Sequence, residues 1–268
     1  MKHLFYTYLF VALVAGCNAP KETTTSQTES SDFIYKGKLY ATAFVQRSAE
    51  YHALCLQAYN MARLRLDDVL NQLTAKPKAI IVDIDETVLD NSADEVHRDL
   101  MNKEFNKESW NKWTAMAAAD TIPGAFSFLK YASSKGIEIF YISNRDENDR
   151  GGTLKNLQKF GFPNADNDHL FLRQTSSEKE TRRQQVLKDH DVVMLIGDNL
   201  ADFSSLYENK KPMNERLEVT KRFAAEFGSR FILLPNPVYG DWEYAMYQFQ
   251  ILTAAQKDSA IKSLLKGY

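Results

Sequence analysis

The 268-residue chain has only two cysteines, Cys17 and Cys55, too few for the disulfide framework of a small secreted domain. Its stability must therefore come from packing. Cys55 lies in the helix-like stretch YHALCLQAY and reads as a small buried hydrophobe. Charge of neither sign dominates: 33 Lys and Arg face 35 Asp and Glu, a formal net charge of -2. No basic field recruits nucleic acid, and no acidic excess points to disorder. The five histidines are scattered and show no zinc spacing. There is no internal repeat, and no low-complexity tract beyond one polar segment near the start. What is present, 44% hydrophobic residues over this length, suffices for one sizeable α/β core without a second independent domain.

The first 16 residues have the layout of an export signal: Lys2 and His3, then the apolar run LFYTYLFVALVAG, then small residues before Cys17. The run is shorter than the roughly 20 apolar residues of a membrane-spanning helix. Its end, LVAGC, resembles the bacterial lipobox, which implies that Cys17 receives a diacylglyceryl group and becomes the first mature residue. NAPKETTTSQTESS follows, a segment too polar to bury apolar surface, so residues 17–35 are expected to form a flexible tether.

Helices are expected from about Leu39 to Leu73, where Leu54, Ala58, Met61 and Leu64 recur at steps of three and four. Four apolar runs then read as buried parallel strands: Ala79 to Val82, Ile137 to Arg145, Asp191 to Asn199, and RFILLPNP, which Pro235 and Pro237 stop. The segments AFSFLKYASSKG and KNLQKFGF between them read as crossover helices. The expected fold is thus α/β, a Rossmann-like parallel sheet flanked by helices. Residues 36–268 form its domain, with a small, mostly helical cap built from elements at about 36–75 and 88–120.

In open parallel sheets the ligand site lies outside the carboxyl ends of the strands, and polar residues cluster there in this chain. DIDET places Asp83 and Asp85 so that the chain leaving the first strand can present two carboxylates near one point. Two such groups resist joint ionisation unless a cation lies between them, and GDNLADF adds Asp198 and Asp202. So sparse a set of oxygen ligands suits magnesium better than a calcium cage. SNR, from Ser143 to Arg145, and SSEKETRR, with Lys179 and Arg182, supply donors for phosphate oxygens. Phosphoryl transfer needs little beyond such positioning and charge neutralisation.

DIDET, SNR, the lysine and GDNLADF, in this order, resemble the four motifs of the haloacid dehalogenase superfamily. DIDETVLDNS together with GDNLADF narrows the resemblance to the class C bacterial acid phosphatases, the lipoprotein nucleotidases of the outer membrane. It extends from about Ala43 to Trp242 and takes in PGA at Pro123 to Ala125 and LPNPVYGDWE. It implies that Asp83 is the nucleophile that forms an aspartyl-phosphate. Asp85 is expected to protonate the leaving group and then activate water, while its backbone carbonyl binds the metal. The implied magnesium ligands are Asp83, Asp85 and Asp198, with Asp202 holding metal-bound water or orienting Lys179. Ser143, the Asn144 amide and Lys179 are expected on the phosphate, and Arg145 behind them as a structural partner. Arg182 reads equally well as a solvated helix charge.

Trp110 and Tyr239 resemble positions that line the nucleoside pocket of these nucleotidases, and an aromatic face can stack on a base for roughly 1 to 3 kcal/mol. The favoured substrates are accordingly nucleoside 5'-monophosphates. A broad phosphomonoesterase acting on other small organic phosphates is the alternative, and a non-catalytic haem-binding or adhesion lipoprotein is a third reading that the acidic quartet opposes. Dehalogenases lack the second aspartate, and a phosphomutase fits an exported protein less well than a hydrolase. Asn18 follows Cys17 where an aspartate would retain a lipoprotein in the inner membrane, which favours the outer membrane. The oligomeric state is open, a homodimer included.

Overall fold

A computed structural model describes residues 33–268, so the expected export signal, Cys17 and most of the expected tether fall outside the described residues. Among the described residues no helix is long and apolar enough to cross a membrane. The chain first forms α1 (Phe33–Arg47) and α2 (Ala49–Leu70). Ser48 divides them: its backbone is extended, and its hydroxyl caps α2 by accepting the Tyr51 N–H at 3.0 Å. Residues 33–35, expected in the tether, belong to α1 because Ile34 is buried and its N–H donates to Asp258 at 3.0 Å.

The apolar face of α2 is rotated from the expected one. Leu54 and Leu64 are exposed, and the buried stripe is Tyr51, Cys55, Tyr59, Ala62 and Leu66. Its steps are still three and four, but two tyrosines carry much of the buried area, and a stripe drawn through leucines passes them by.

After α2 come β1 (Lys78–Val82), β2 (Leu89–Asp90), α3 (Ser92–Asp99), α4 (Lys107–Met116) and β3 (Asp120–Thr121). The order continues with α5 (Ala125–Ser134), β4 (Glu138–Asp146), α6 (Arg150–Phe160), β5 (Leu170–Arg173), α7 (Glu180–Asp189) and β6 (Asp191–Gly197). It ends with α8 (Met213–Arg222), β7 (Phe231–Leu233), α9 (Asp241–Met246) and α10 (Ala254–Leu264). The main sheet is parallel throughout, in the order β5-β4-β1-β6-β7. The central strand β1 sets Val82 beside Tyr141 of β4 and Ile196 of β6.

Both faces of the sheet are covered. Ile80 and Val82 share one core with Cys55, Tyr59, Ala62 and Leu66 of α2 and Leu129 of α5. Ala79 and Ile81 point to the other face and pack with Phe140, Val186, Leu195 and Phe231. α2 is therefore a flanking helix of the sheet, not a cap element, because its apolar stripe is buried on the strands. The segment expected as a cap folds as the antiparallel pair β2–β3 with α3 and α4, and α1 packs against α3.

Candidate active site

Asp83 follows β1 directly, and its N–H extends the ladder by donating to the Ile196 carbonyl at 2.9 Å. This holds it at the carboxyl end of the central strand, beside the end of β6. There Gly197 permits a close approach: a Cβ on it would lie 2.2 Å from Oδ2 of Asp202. Asp202 closes a capping box by accepting the Asn199 N–H on Oδ2 at 3.0 Å. Lys179 sits just before α7, where Glu208 accepts its backbone N–H at 2.8 Å. Its buried ammonium pairs with Oδ1 of Asp83 and, at 2.6 Å, with Oδ1 of Asp202.

One oxygen each of Asp83, Asp198 and Asp202 lies within 4.8 Å of the others, close enough to share one metal ion. Burial raises the Asp83 carboxyl to about 7; Lys179 opposes the rise and the charges of Asp202 and Asp85 add to it. Asp198 is pushed well above the carboxylate range by burial and then by Asp83 and Asp202. Burial works against the charge of Lys179, yet Asp202 and Asp83 together hold it above the usual lysine range. Crowded carboxylates with only oxygen donors, one cation among them and two of them resisting ionisation fit a hard divalent ion.

The Asp85 carboxylate is not in that group, although the sequence suggested that both acids of DIDET meet at one point. Asp85 is turned toward the cap, where Arg145 grips it with Nη2 at 2.8 Å and Nε at 3.0 Å, and Asn91 donates at 2.8 Å. Ser143 is fully buried, with its hydroxyl 3.3 Å from Oδ2 of Asp85, and Asn144 beside it is exposed to the cavity. Arg182 is buried, not solvated: it donates to the Ser143 carbonyl at 2.5 Å and to Oδ1 of Asn144 at 2.7 Å, so it ties the SNR segment to α7.

A cavity of about 720 Å³ opens above these residues. Its lining includes Asp83, Asp85, Asn144, Lys179, Asp198 and Asp202, the aromatic residues Trp110 of α4 and Tyr239, and the charged residues Lys38, Glu104 and Lys257. Two site residues escaped the reading from sequence: Asn91 holds Asp85, and Asn236 donates to Oδ2 of Asp198 at 2.7 Å. Arg182, read there as a phosphate donor or a solvated helix charge, is neither of these but a brace for the SNR segment. Asn91 and Asn236 both lie inside segments that carried the resemblance, DIDETVLDNS and LPNPVYGDWE, which was the available signal.

The chain matches the model of the HAD superfamily, subfamily IIIB (Acid phosphatase), over residues 15–242. The class C acid phosphatase from Bacillus anthracis superposes with a TM-score of 0.84 at 39% identity, covering 88% of this chain and 99% of that one. A crystal structure of class C acid phosphatase from the same organism with tungstate bound gives 0.84 at 38%, with the same coverage. The stem 31 kDa glycoprotein of Glycine max is 26% identical over 165 residues, 59% of this chain. The chain spans 58% of the length of that curated relative.

Proposed function

Because the chain belongs to the acid phosphatases of HAD subfamily IIIB, we propose that it hydrolyses phosphomonoesters, foremost nucleoside 5'-monophosphates, through an aspartyl-phosphate on Asp83. The observation that carries the reading is the close group of buried Asp83, Lys179 and Asp202 with half-buried Asp198, all lining one cavity, with Asp85 held separately beside it.

In the first step an Asp83 oxygen attacks phosphorus, and the bond to the ester oxygen breaks with its electron pair on that oxygen. Asp85 gives its proton to the departing alkoxide. Water then attacks the phosphorus of the aspartyl-phosphate, Asp85 takes up its proton, and the Asp83 carboxylate and inorganic phosphate are released. Lys179 neutralises the nucleophile and the phosphoryl oxygens, and Asp202, already paired with it, holds the ammonium in place. The Asn144 amide donates to the phosphate, with Arg182 bracing its segment, while the Ser143 hydroxyl, fully buried and outside the cavity lining, donates to Oδ2 of Asp85.

Asp83 and Asp198, with the backbone carbonyl of Asp85, would hold magnesium, which when bound neutralises charge on the transferred group. The uptake of tungstate, a tetrahedral oxyanion of phosphate's shape, by the Bacillus anthracis protein supports an oxyanion site here. Trp110 and Tyr239 offer the flat faces for a nucleobase. The charged lining residues Lys38, Glu104 and Lys257 favour a second reading, a broad phosphomonoesterase, because they can also receive small polar leaving groups. The proposal extends to location: export, and attachment through Cys17 to the outer membrane, as LVAGC followed by Asn18 supports.

A panel of nucleotides, sugar phosphates and a neutral aryl phosphate, assayed with and without magnesium, tests the reading. Nucleotides should show the highest kcat/KM, magnesium should be required, and Asp83→Asn should lose at least about a thousandfold. Equal kcat/KM across the panel would favour the broad enzyme, and activity surviving in Asp83→Asn would refute the mechanism.

A further inference from the structure

The Asp85 carboxylate is held asymmetrically. Its Oδ1 accepts three short hydrogen bonds, from Asn91 Nδ2 at 2.8 Å and from Arg145 Nη2 and Nε at 2.8 and 3.0 Å. Among the described residues its Oδ2 meets only Arg145 Nε and the Ser143 hydroxyl, each at 3.3 Å. A carboxylate oxygen offers about two lone-pair sites, so Oδ1 is saturated and Oδ2 is not. A hydrogen on Oδ1 would point into donors.

The grip is set from the cap. Trp113 of α4 donates its indole N–H to Oδ1 of Asn91 at 2.9 Å, which turns the Asn91 amide so that Nδ2 faces Asp85. One turn earlier on the same helix, the Trp110 ring lies 5.4 Å from the guanidinium carbon of Arg145. Arg145 is anchored from behind by Nη1 donating to Thr153 at 3.0 Å, and both Asn91 and Arg145 are buried. The side chains that fix Asp85 are thus registered by two tryptophans of one helix, and one of these faces the space for the leaving group.

We infer that Asn91, Arg145 and Trp113 are positioning residues that saturate Oδ1 of Asp85 and leave Oδ2 as the oxygen that hands a proton to the departing ester oxygen. This rests on the reading of Asp85 as proton donor given above. The bond from phosphorus to the ester oxygen breaks as the O–H bond of Oδ2 is transferred, and the Asp85 carboxylate that remains is the form Arg145 binds best.

The test is the dependence on the leaving group. Trp113→Phe keeps an aromatic ring and deletes the shorter of the two N–H donors to Oδ1 of Asn91, the other being Arg145 Nη2 at 3.3 Å. For a simple alkyl phosphate, whose alkoxide needs a proton to leave, kcat/KM should fall about tenfold; for 2,4-dinitrophenyl phosphate, which leaves unprotonated, it should stay within about twofold. The ratio kcat/KM is read because it ends at phosphoryl transfer, before the water step in which Asp85 serves both substrates alike. Arg145→Lys, which keeps the charge and loses the fork, should widen the same split and serves should the first variant fold poorly. Equal losses on both substrates, or no loss on the alkyl ester, would overturn the inference while the phosphatase reading stands. A wild-type protein inactive on both esters, or an active Asp83→Asn, would instead remove the reading beneath it.

Discussion

Burial raises the Asp83 carboxyl to about 7 from an ordinary value of 3.8, and Asp198 shifts in the same direction. A carboxyl whose folded value exceeds its unfolded one binds its proton more tightly in the folded chain. Its contribution to stability is therefore full below about 3.8 and is lost as pH rises through about 7. A divalent cation that binds the ionised carboxylates takes the place of those protons, so its stabilising effect should grow across the same window. The melting temperature without magnesium is expected to decline as pH rises from about 4 to about 8. The gain on adding magnesium, worth about 2.7 kcal/mol at a hundredfold excess over Kd, should be larger at the alkaline end. Asp198→Asn should remove most of that gain, since it deletes the carboxylate opposite Asp83 and leaves Lys179 with both its partners. Thermal melts in chelator and in magnesium at several pH values decide the matter. A gain that is flat with pH, or that persists in Asp198→Asn, would mean that the cation binds elsewhere.

Two adjacent glycines in α6 make a matched test of how the cap is seated. A Cβ on Gly152 would lie 2.2 Å from the Thr114 carbonyl oxygen, in the backbone of α4, whereas one on Gly151 would meet nothing within 4 Å. Alanine favours a helix over glycine by up to about 1 kcal/mol, so Gly151→Ala should be neutral or slightly stabilising. Gly152→Ala must push α4 outward, and overpacking of this kind outweighs the helix gain by about 1 to 3 kcal/mol. Because α4 carries Trp110 and Trp113, KM for nucleotides should also rise several-fold in Gly152→Ala only; urea melts and steady-state kinetics on the pair check both effects. Equal behaviour of the two variants would show that α4 does not depend on this contact. None of this was legible in the sequence, where the two glycines look alike. Runs of Ile and Val revealed β1, β4, β6 and β7, but β5 is four residues, LFLR, with alternating burial, and β2 and β3 are two residues each. Strands that short carry no periodicity of their own and exist because their neighbours pair with them. Motif residues were legible for the same reason in reverse: Asp83, Lys179, Asp198 and Asp202 follow strands or precede a helix, so their meeting follows from topology. Asn91, Arg182 and Asn236 are ordinary polar residues until the path of the chain brings them to Asp85, Ser143 and Asp198.

For the whole molecule, the proposed anchor and the candidate site fall in separate parts of the chain. The site residues run from Asp83 to Tyr239, and the domain they belong to is described from Phe33 onward. Cys17 precedes it by a stretch, NAPKETTTSQTESS, with no apolar surface to dock. A single acyl chain holds a protein on a membrane only marginally, and two chains hold it stably, so a diacylglyceryl group on Cys17 would suffice without help from the domain. Near charge balance, at -2 over the full sequence, the chain has no net basic charge to bind anionic lipid by itself. Cys17→Ser should therefore do two things that a structural cysteine would not do together. In cell fractionation the wild-type chain should sediment with membranes and take up labelled palmitate, while the variant appears in the soluble fraction without label. The released variant should keep kcat/KM within about twofold of the detergent-solubilised wild type, since among the described residues the lining of the cavity begins at Lys38. Membrane retention of Cys17→Ser would refute the anchor. Release accompanied by loss of kcat/KM would mean instead that the amino-terminal segment takes part in the site.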